Sequence, residues 1–433
     1  MSGKTIAVLA TLDTKGREAE FLREQIAACG QKSLVVDVGV VGTPASKADV
    51  TREEVAEAGG SPLAKLLENP DRETAAPLMA AGATVLIARL AKKKKIHAVM
   101  GLGGAQGTTL CTQVMRALPY GFPKMMVSTM ASGNVAPWVD IRDITMMYSV
   151  ADITGLNPVT RKILANAAGA ACGMAEVEVQ IETGDAALVA ITTVDTTSQG
   201  AMKAAEILEA AGYPTIVFPA EGSGGRAMEQ MMKEGIIAGV LDYSTIEVSN
   251  EMYHGLAAAG PERGTVAGSH GIPQVVVPGA IEVLAFGEPE TVPPPYNTRT
   301  LIRRSPRITE VRLNAAEMAE VGRELARRLS HTTDRAVFMI PTGGYDSHAV
   351  KGKGFYDPEA DEAFVRELTA GLPPCFEVVK RDTHVEDPVF AAEAARMLIS
   401  LVEVRKAAGG TGGARAGRTS KAAGKASDQK GGT

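Results

Sequence analysis

Short β-branched runs alternate with amphipathic helical stretches over most of the chain, the second half repeats the order of the first, and a Gly/Lys-rich segment closes the sequence. These three observations predict an α/β protein: two Rossmann-like parallel-sheet subdomains facing a cleft, with a disordered C-terminal tail. The expected boundaries are residues 1–178 for the first domain, 179–404 for the second and 405–433 for the tail.

In the first half, Thr5–Thr11 and Ser33–Gly39 read as strands on either side of a helix from Gly16 to Cys29, which Gly30 ends. His97–Leu102 and Lys124–Ser128 are further strands, and the segment between them, Gln106–Leu118, has helical periodicity. The rhythm resumes with strands at Ala187–Thr193, Thr215–Pro219, Ile237–Leu241, Gln274–Val277 and Ala336–Ile340. Helical spacing returns at Asn314–Leu329, Glu359–Ala370 and Pro388–Val402. An internal repeat supports two halves: Ile6–Ala10 with Asp13-Thr14 matches Leu188–Thr192 with Asp195-Thr196 at an offset of 182, which also carries Gly30 onto Gly212. Gly121–Val127 resembles Gly271–Val277 at an offset of 150, so loops of different length separate common strands.

The balance of 45 Lys and Arg against 50 Asp and Glu gives a net charge of −5, which is not that of a nucleic-acid binder. Aromatic residues, at 4%, are too few for base-stacking platforms. No run approaches 18 unbroken apolar residues, so no membrane span is expected, and the N-terminus lacks a secretory leader. Cys29, Cys111, Cys172 and Cys375 are scattered without C-x-x-C spacing, which fits a cytoplasmic location and argues against a disulfide framework or a metal site. The tail holds seven Lys or Arg against one acidic residue, a charge of +6 that leaves −11 on residues 1–404. Its composition buries too little apolar surface to offset the entropy of ordering.

Ligands of parallel sheets bind beyond the carboxyl ends of the strands, and there the sequence places small polar loops. Gly101–Thr109 is the strongest. Glycines let a ligand approach the backbone, and the following helix aims free N–H groups at an anion. Gly103, Gly104, Gly107 and Thr108 are the candidate contacts, although Gln106 breaks the dinucleotide fingerprint and no Walker lysine is present. Asp13, Thr14 and Lys15 open the first helix, where an ammonium group opposes the macrodipole and is better explained by a bound anion. Ser128 offers a hydroxyl outside any nucleophile elbow. Glu221–Arg226 has a similar loop-to-helix pattern, with Arg226 a possible anion partner or a solvated side chain. His270, Glu282, His348 and His384 are candidates for general acid–base catalysis.

Ala10–Gly16, Gly101–Thr109, Pro123–Asn134 with Met147–Asn157, and His270–Glu282 together resemble the family of the tomato mosaic virus resistance protein and its uncharacterised bacterial counterparts, over about residues 4–404. The resemblance implies two nucleotide-binding-type subdomains, dimerisation, and ATP on the Asp13–Gly16 and Gly101–Thr109 loops. Mg²⁺ is the expected companion ion of ATP, keeping most of its waters, with Asp13 as one option for a ligand. A small anionic metabolite in the cleft is the expected second ligand. Two alternatives stand beside this reading: a hydrolase or lyase that cleaves a C–C or C–O bond of a carbonyl or acid substrate with the His and Glu groups, and a non-catalytic regulatory binding protein.

Overall fold

The computed structural model describes residues 3–68, 72–179, 181 and 187–409. The chain is a mixed α/β protein of two compact units, Met1–Glu182 and Thr183–Thr433.

The first unit runs β1 (Thr5–Ala10), α1 (Leu12–Ala28), β2 (Lys32–Asp37), α2 (Arg52–Ala58), α3 (Leu63–Glu68), α4 (Arg72–Lys92), β3 (Ala98–Gly103), α5 (Ala105–Arg116), β4 (Lys124–Ser128), α6 (Ala136–Val139), β5 (Thr145–Tyr148) and α7 (Pro158–Glu176). Its five strands form one parallel sheet in the order β2-β1-β3-β4-β5. Side chains alternate across the pleat. Ala7, Leu9, Val99 and Met126 therefore meet α2, α4 and α5 on one face, while Ile6, Val8, Met100 and Val127 meet α1 and α7 on the other. The strand order reverses between β1 and β3, which opens a crevice at their carboxyl ends. From Glu73 to Lys92, α4 is long and apolar enough to cross a membrane by length and composition. The sequence criterion of unbroken apolar runs passes over it. In this unit its Met79, Ala83 and Ile87 are buried in the core.

The second unit runs β6 (Val189–Thr193), α8 (Ser198–Ala210), β7 (Thr215–Pro219), α9 (Ser223–Lys233), β8 (Gly239–Ser244), α10 (Ile246–Met252), α11 (Val266–Ser269), β9 (Gln274–Gly279), β10 (Val283–Phe286), β11 (Leu301–Ser305), β12 (Ile308–Arg312), α12 (Ala315–Leu329), β13 (Ala336–Pro341), α13 (Pro358–Gly371), β14 (Phe376–Arg381) and α14 (Pro388–Ala407). Six strands form a parallel sheet in the order β14-β13-β9-β8-β6-β7. Read from β6, this is the winding of the first unit with one strand added, so β6 to β9 correspond to β1 to β4. The repeat offsets follow that correspondence. Gly30 and Gly212 end equivalent helices at φ 76° and 85°, and Gly121 and Gly271 precede equivalent strands at φ 78° and 59°. These left-handed turns favour glycine. The second unit adds a three-stranded antiparallel sheet, β10-β12-β11, between β9 and α12.

Two expectations change. The tail does not begin at 405, because α14 continues to Ala407; residues 410–433 lie outside the described residues. The strand expected at Ile237–Leu241 runs from Gly239 to Ser244, with all six residues buried. Asp387 caps α14 before Pro388, accepting the N–H groups of Val389 at 2.8 Å and Phe390 at 3.1 Å. All four cysteines are free.

Candidate functional site

At the β1/β3 crevice of the first unit lies a cavity of about 440 Å³, within the range of small-molecule sites (roughly 300–1,000 Å³). Its walls come from the first turns of α1 and α5, the loop after β2, and Ala75 and Ala76 of α4. Asp13, Thr14, Lys15, Gly103, Gly104 and Gly107 all line it.

The glycines divide by role. A β-carbon on Gly103 would stand 2.8 Å from the α-carbon of Gly107, and one on Gly107 would stand 3.2 Å from the Leu102 carbonyl oxygen. Both are needed for the tight strand-to-helix turn. At Gly104 a β-carbon would meet only Thr129 Oγ1, at 3.7 Å, so this glycine leaves room beside the cavity. Gly104 is also the capping position of α5, and no side chain caps the helix. Among the described residues, the amides of Ala105, Gln106 and Gly107 have no hydrogen-bond acceptor. They form an open donor set at the positive end of a 12-residue helix.

The start of α1 differs. Asp37, buried at the end of β2, accepts the Leu12 amide at 3.1 Å and the Gly39 amide at 2.9 Å. The amides of Thr14 and Lys15 go to the Thr11 carbonyl. The chain's own groups thus take up most of this helix start, and the anion-binding logic passes to α5. Burial pushes the Asp37 carboxyl above its usual range, against the pull of the two amides. Asp13 stands beside it, across Gly39 and Gly42. The Lys15 ammonium donates to the Ile153 carbonyl in the loop after β5, so it pins that loop to α1 as well as lining the cavity.

Thr108 and Ser128 are fully buried and hold each other at 2.6 Å. Thr108 also donates to the Gly104 carbonyl at 2.8 Å, and Ser128 accepts the Met130 amide at 2.9 Å. Their hydroxyls lock the turn of α5 to the end of β4 and are committed to that task. Cys111 lines the cavity as well, but burial pushes its thiol up to about 12, which leaves it inert.

In the second unit, the helix start at Glu221–Arg226 is filled. The buried Glu247 carboxylate accepts the amides of Gly222 at 2.7 Å and Gly225 at 3.0 Å. The fully buried Arg263 binds Glu247 at 2.5 Å and Asp242 through two contacts of 2.6 Å. An internal carboxylate therefore stands where the sequence suggested an external anion.

The four acid–base candidates separate. His270 is exposed at the amino end of β9, bonded to Val266 and Ser269, and stands apart from the other three. Glu282, His348 and His384 all lie at carboxyl ends. His384 sits after β14, next to Gly344 in the loop that carries His348. Sequence reasoning passed over Asp37, Glu310, Arg304 and Trp138. An acid closing the second strand was the available signal for Asp37. The other three lie on elements that the periodicity did not mark.

Comparison with known proteins places this architecture. Residues 4–180 match the uncharacterised protein family UPF0261 N-terminal domain, and residues 186–402 match its C-terminal domain. The chain belongs to the UPF0261 family. It is similar to a UPF0261 protein of Clostridium tetani, 38% identical over 401 residues that span 92% of this chain and 99% of the relative. A UPF0261 protein of Rhizobium meliloti is 37% identical over 90% of this chain and 97% of its own length. The ToMV resistance protein Tm-1(GCR237) of Solanum lycopersicum is 34% identical over 281 residues, 64% of this chain and 37% of that protein. A solved UDP-N-acetylglucosamine 2-epimerase aligns over 94% of this UPF0261 chain at 11% identity and a TM-score of 0.18, too remote to bear on function.

Proposed function

We propose that this UPF0261 protein binds ATP, or a closely similar phosphorylated nucleotide, at the β1/β3 crevice of its first unit. The observation that carries the reading is the uncapped start of α5, which opens onto a cavity of about 440 Å³ at the point where strand order reverses. Phosphate oxygens would accept from the amides of Ala105, Gln106 and Gly107. Lys15 would turn its ammonium from the Ile153 carbonyl toward the phosphates. Asp13 and Asp37 suit a Mg²⁺ ion that keeps most of its waters and takes one or two carboxylates. The same carboxylates disfavour a phosphate that arrives without its ion. Self-association belongs to the same proposal.

The single tryptophan, Trp138, donates its indole N–H to Thr109 Oγ1 at 3.0 Å, one turn into α5. Its fluorescence is thus a probe of the site. Titration with MgATP is expected to change that emission. Gly104→Val, which fills the open space, is expected to weaken binding at least tenfold, and Lys15→Ala to weaken it by a smaller factor. Native mass spectrometry of the same protein reads bound nucleotide and subunit number together. Equal affinity in wild type and Gly104→Val would refute the assignment.

A further inference from the structure

The small sheet of the second unit covers a cluster of polar groups for which the nucleotide reading has no use. Among the described residues, nine buried side-chain nitrogen or oxygen atoms lack a hydrogen-bond partner, and six of them belong to this cluster: both Glu282 oxygens, Glu310 Oε2, Arg312 Nε and Nη1, and Asp346 Oδ2. Buried polar groups without partners are costly, and such a concentration marks a place where water, an ion or a polar ligand completes the bonding.

The groups come from separate elements. Glu310 and Arg312 lie on the face of β12 shared with Ile302 and Val283, their cross-strand neighbours. Glu282 is fully buried just after β9, with Arg312 Nη1 at 3.9 Å. Arg312 is anchored by its other nitrogen, which donates to Asp361 at 2.7 Å and to the Asp357 carbonyl at 3.0 Å. Asp346, 1% exposed in the loop after β13, accepts the His348 amide at 2.6 Å on one oxygen. Arg304 donates to His348 Nε2 at 2.5 Å and to the exposed Asp195, and stands 3.5 Å from Glu310. The backbone is strained here: buried Ala280, between β9 and Glu282, sits at φ 54° and donates to the Tyr345 carbonyl at 2.8 Å. Left-handed backbone at a non-glycine residue gathers at functional sites.

We propose that this cluster is a catalytic site for a small carbonyl compound that carries a hydrogen on the carbon next to the carbonyl. The carbonyl oxygen takes the free N–H groups of Arg312 and the Glu282 carboxyl, and Glu310 moves the proton. Glu310 removes the proton from carbon. The C–H electron pair becomes the enolate double bond, and the carbonyl π pair moves onto oxygen. Glu310 exchanges this proton with solvent and returns a solvent-derived one to the carbon, so the balance needs no co-reactant. Burial holds Glu282 well above the ordinary carboxyl range, which keeps it a hydrogen-bond donor. Glu310 is pushed up to about 7 by burial, with Arg304 opposing and Asp346 and Asp195 adding to the rise. A base that titrates near neutrality suits proton transfer. The charged groups that act on it are Arg304 from β11, Asp346 from the loop after β13 and Asp195 from the loop after β6, with His348 bonded to Arg304.

The test follows deuterium entry from D2O into pyruvate and into dihydroxyacetone by proton NMR, with the full chain and without nucleotide. Exchange at least about 100-fold above buffer, with an inflection near pH 7, is expected for one probe or both. Glu310→Gln should lower it about 100-fold and abolish the inflection. Glu282→Gln, which matches the neutral acid in shape, should keep the unfolding midpoint and lower the rate less. No exchange above buffer with either probe, or exchange that survives Glu310→Gln, overturns the proposal. Exchange by a Glu310→Gln protein whose melting is unchanged would do so most directly. ATP takes no part in this assay, so its failure leaves the nucleotide reading untouched.

Discussion

Gly103→Ala and Gly104→Ala add the same methyl group to adjacent residues, and the structure predicts opposite outcomes. The Gly103 β-carbon would lie 2.8 Å from Gly107 Cα and 3.3 Å from the Gly107 carbonyl carbon. Carbon atoms pack at about 3.5–4.0 Å, so the overlap is roughly 1 Å and falls on backbone. Relief requires the first turn of α5 to swing away from β3, against the Thr108–Ser128 hydrogen bond. Overpacking costs about 1–3 kcal/mol, and a clash with rigid backbone belongs near the top of that range. A domain of this size loses about 2–4 °C per kcal/mol, so the melting temperature of the first unit should drop by roughly 5–10 °C. Gly104→Ala meets nothing nearer than 3.7 Å, at an ordinary φ of −79°. Its only charge is a poorer cap, about 1 kcal/mol or less. Thermal and urea unfolding followed through Trp138 would measure both. A Gly103→Ala protein that melts within 1 °C of wild type, or Gly104→Ala as the weaker of the two, would refute the division of roles.

Two further outcomes are expected in the second unit. Arg263→Ala strands the carboxylates of Asp242 and Glu247 in the interior, with Glu229 only 3.6 Å from the lost guanidinium; breaking such a buried set costs about 3–5 kcal/mol. Urea unfolding should show it, and a loss under 1 kcal/mol would contradict the packing described. Glu229 is pushed up to about 7 by burial, against the pull of Arg263, from an ordinary 4.5. The folded state therefore holds this proton more tightly than the unfolded chain, so its contribution is present below pH 4.5 and is lost as the pH rises to about 7. Glu229→Gln should flatten the stability profile across that window; identical slopes in wild type and variant would disprove the linkage.

Periodicity made most of the parallel strands of both halves legible, because a buried β-branched run between glycines has few other fates, but not the edge strand β14, Phe376–Arg381, where exposed charged residues break the pattern. It missed β5, Thr145–Tyr148, whose methionines lie at the edge of the sheet and are only half buried. It also missed β10 to β12, where Arg303, Arg304, Glu310 and Arg312 interrupt the apolar alternation. Arg304, Glu310 and Arg312 belong to the polar cluster proposed above, so part of what blurs the strand pattern is the same set of charges that the proposal uses. Gly104 and Lys15 could be found from local sequence, since helix-start chemistry depends on neighbours in the chain. The burial of Thr108 against Ser128, and the capture of α9 by Glu247, depend on partners 20 and more residues away. No local spacing announces them.

The two halves share a winding order, yet in the second the Glu247 side chain fills the start of α9 from within. A β-carbon on Gly225 would stand 2.0 Å from that side chain, so the fit leaves no room for exchange with solutes. The halves thus have unequal vocations: the first keeps an open berth at the start of α5, while the second closes the start of α9 from within and carries its unsatisfied side chains beneath an added sheet.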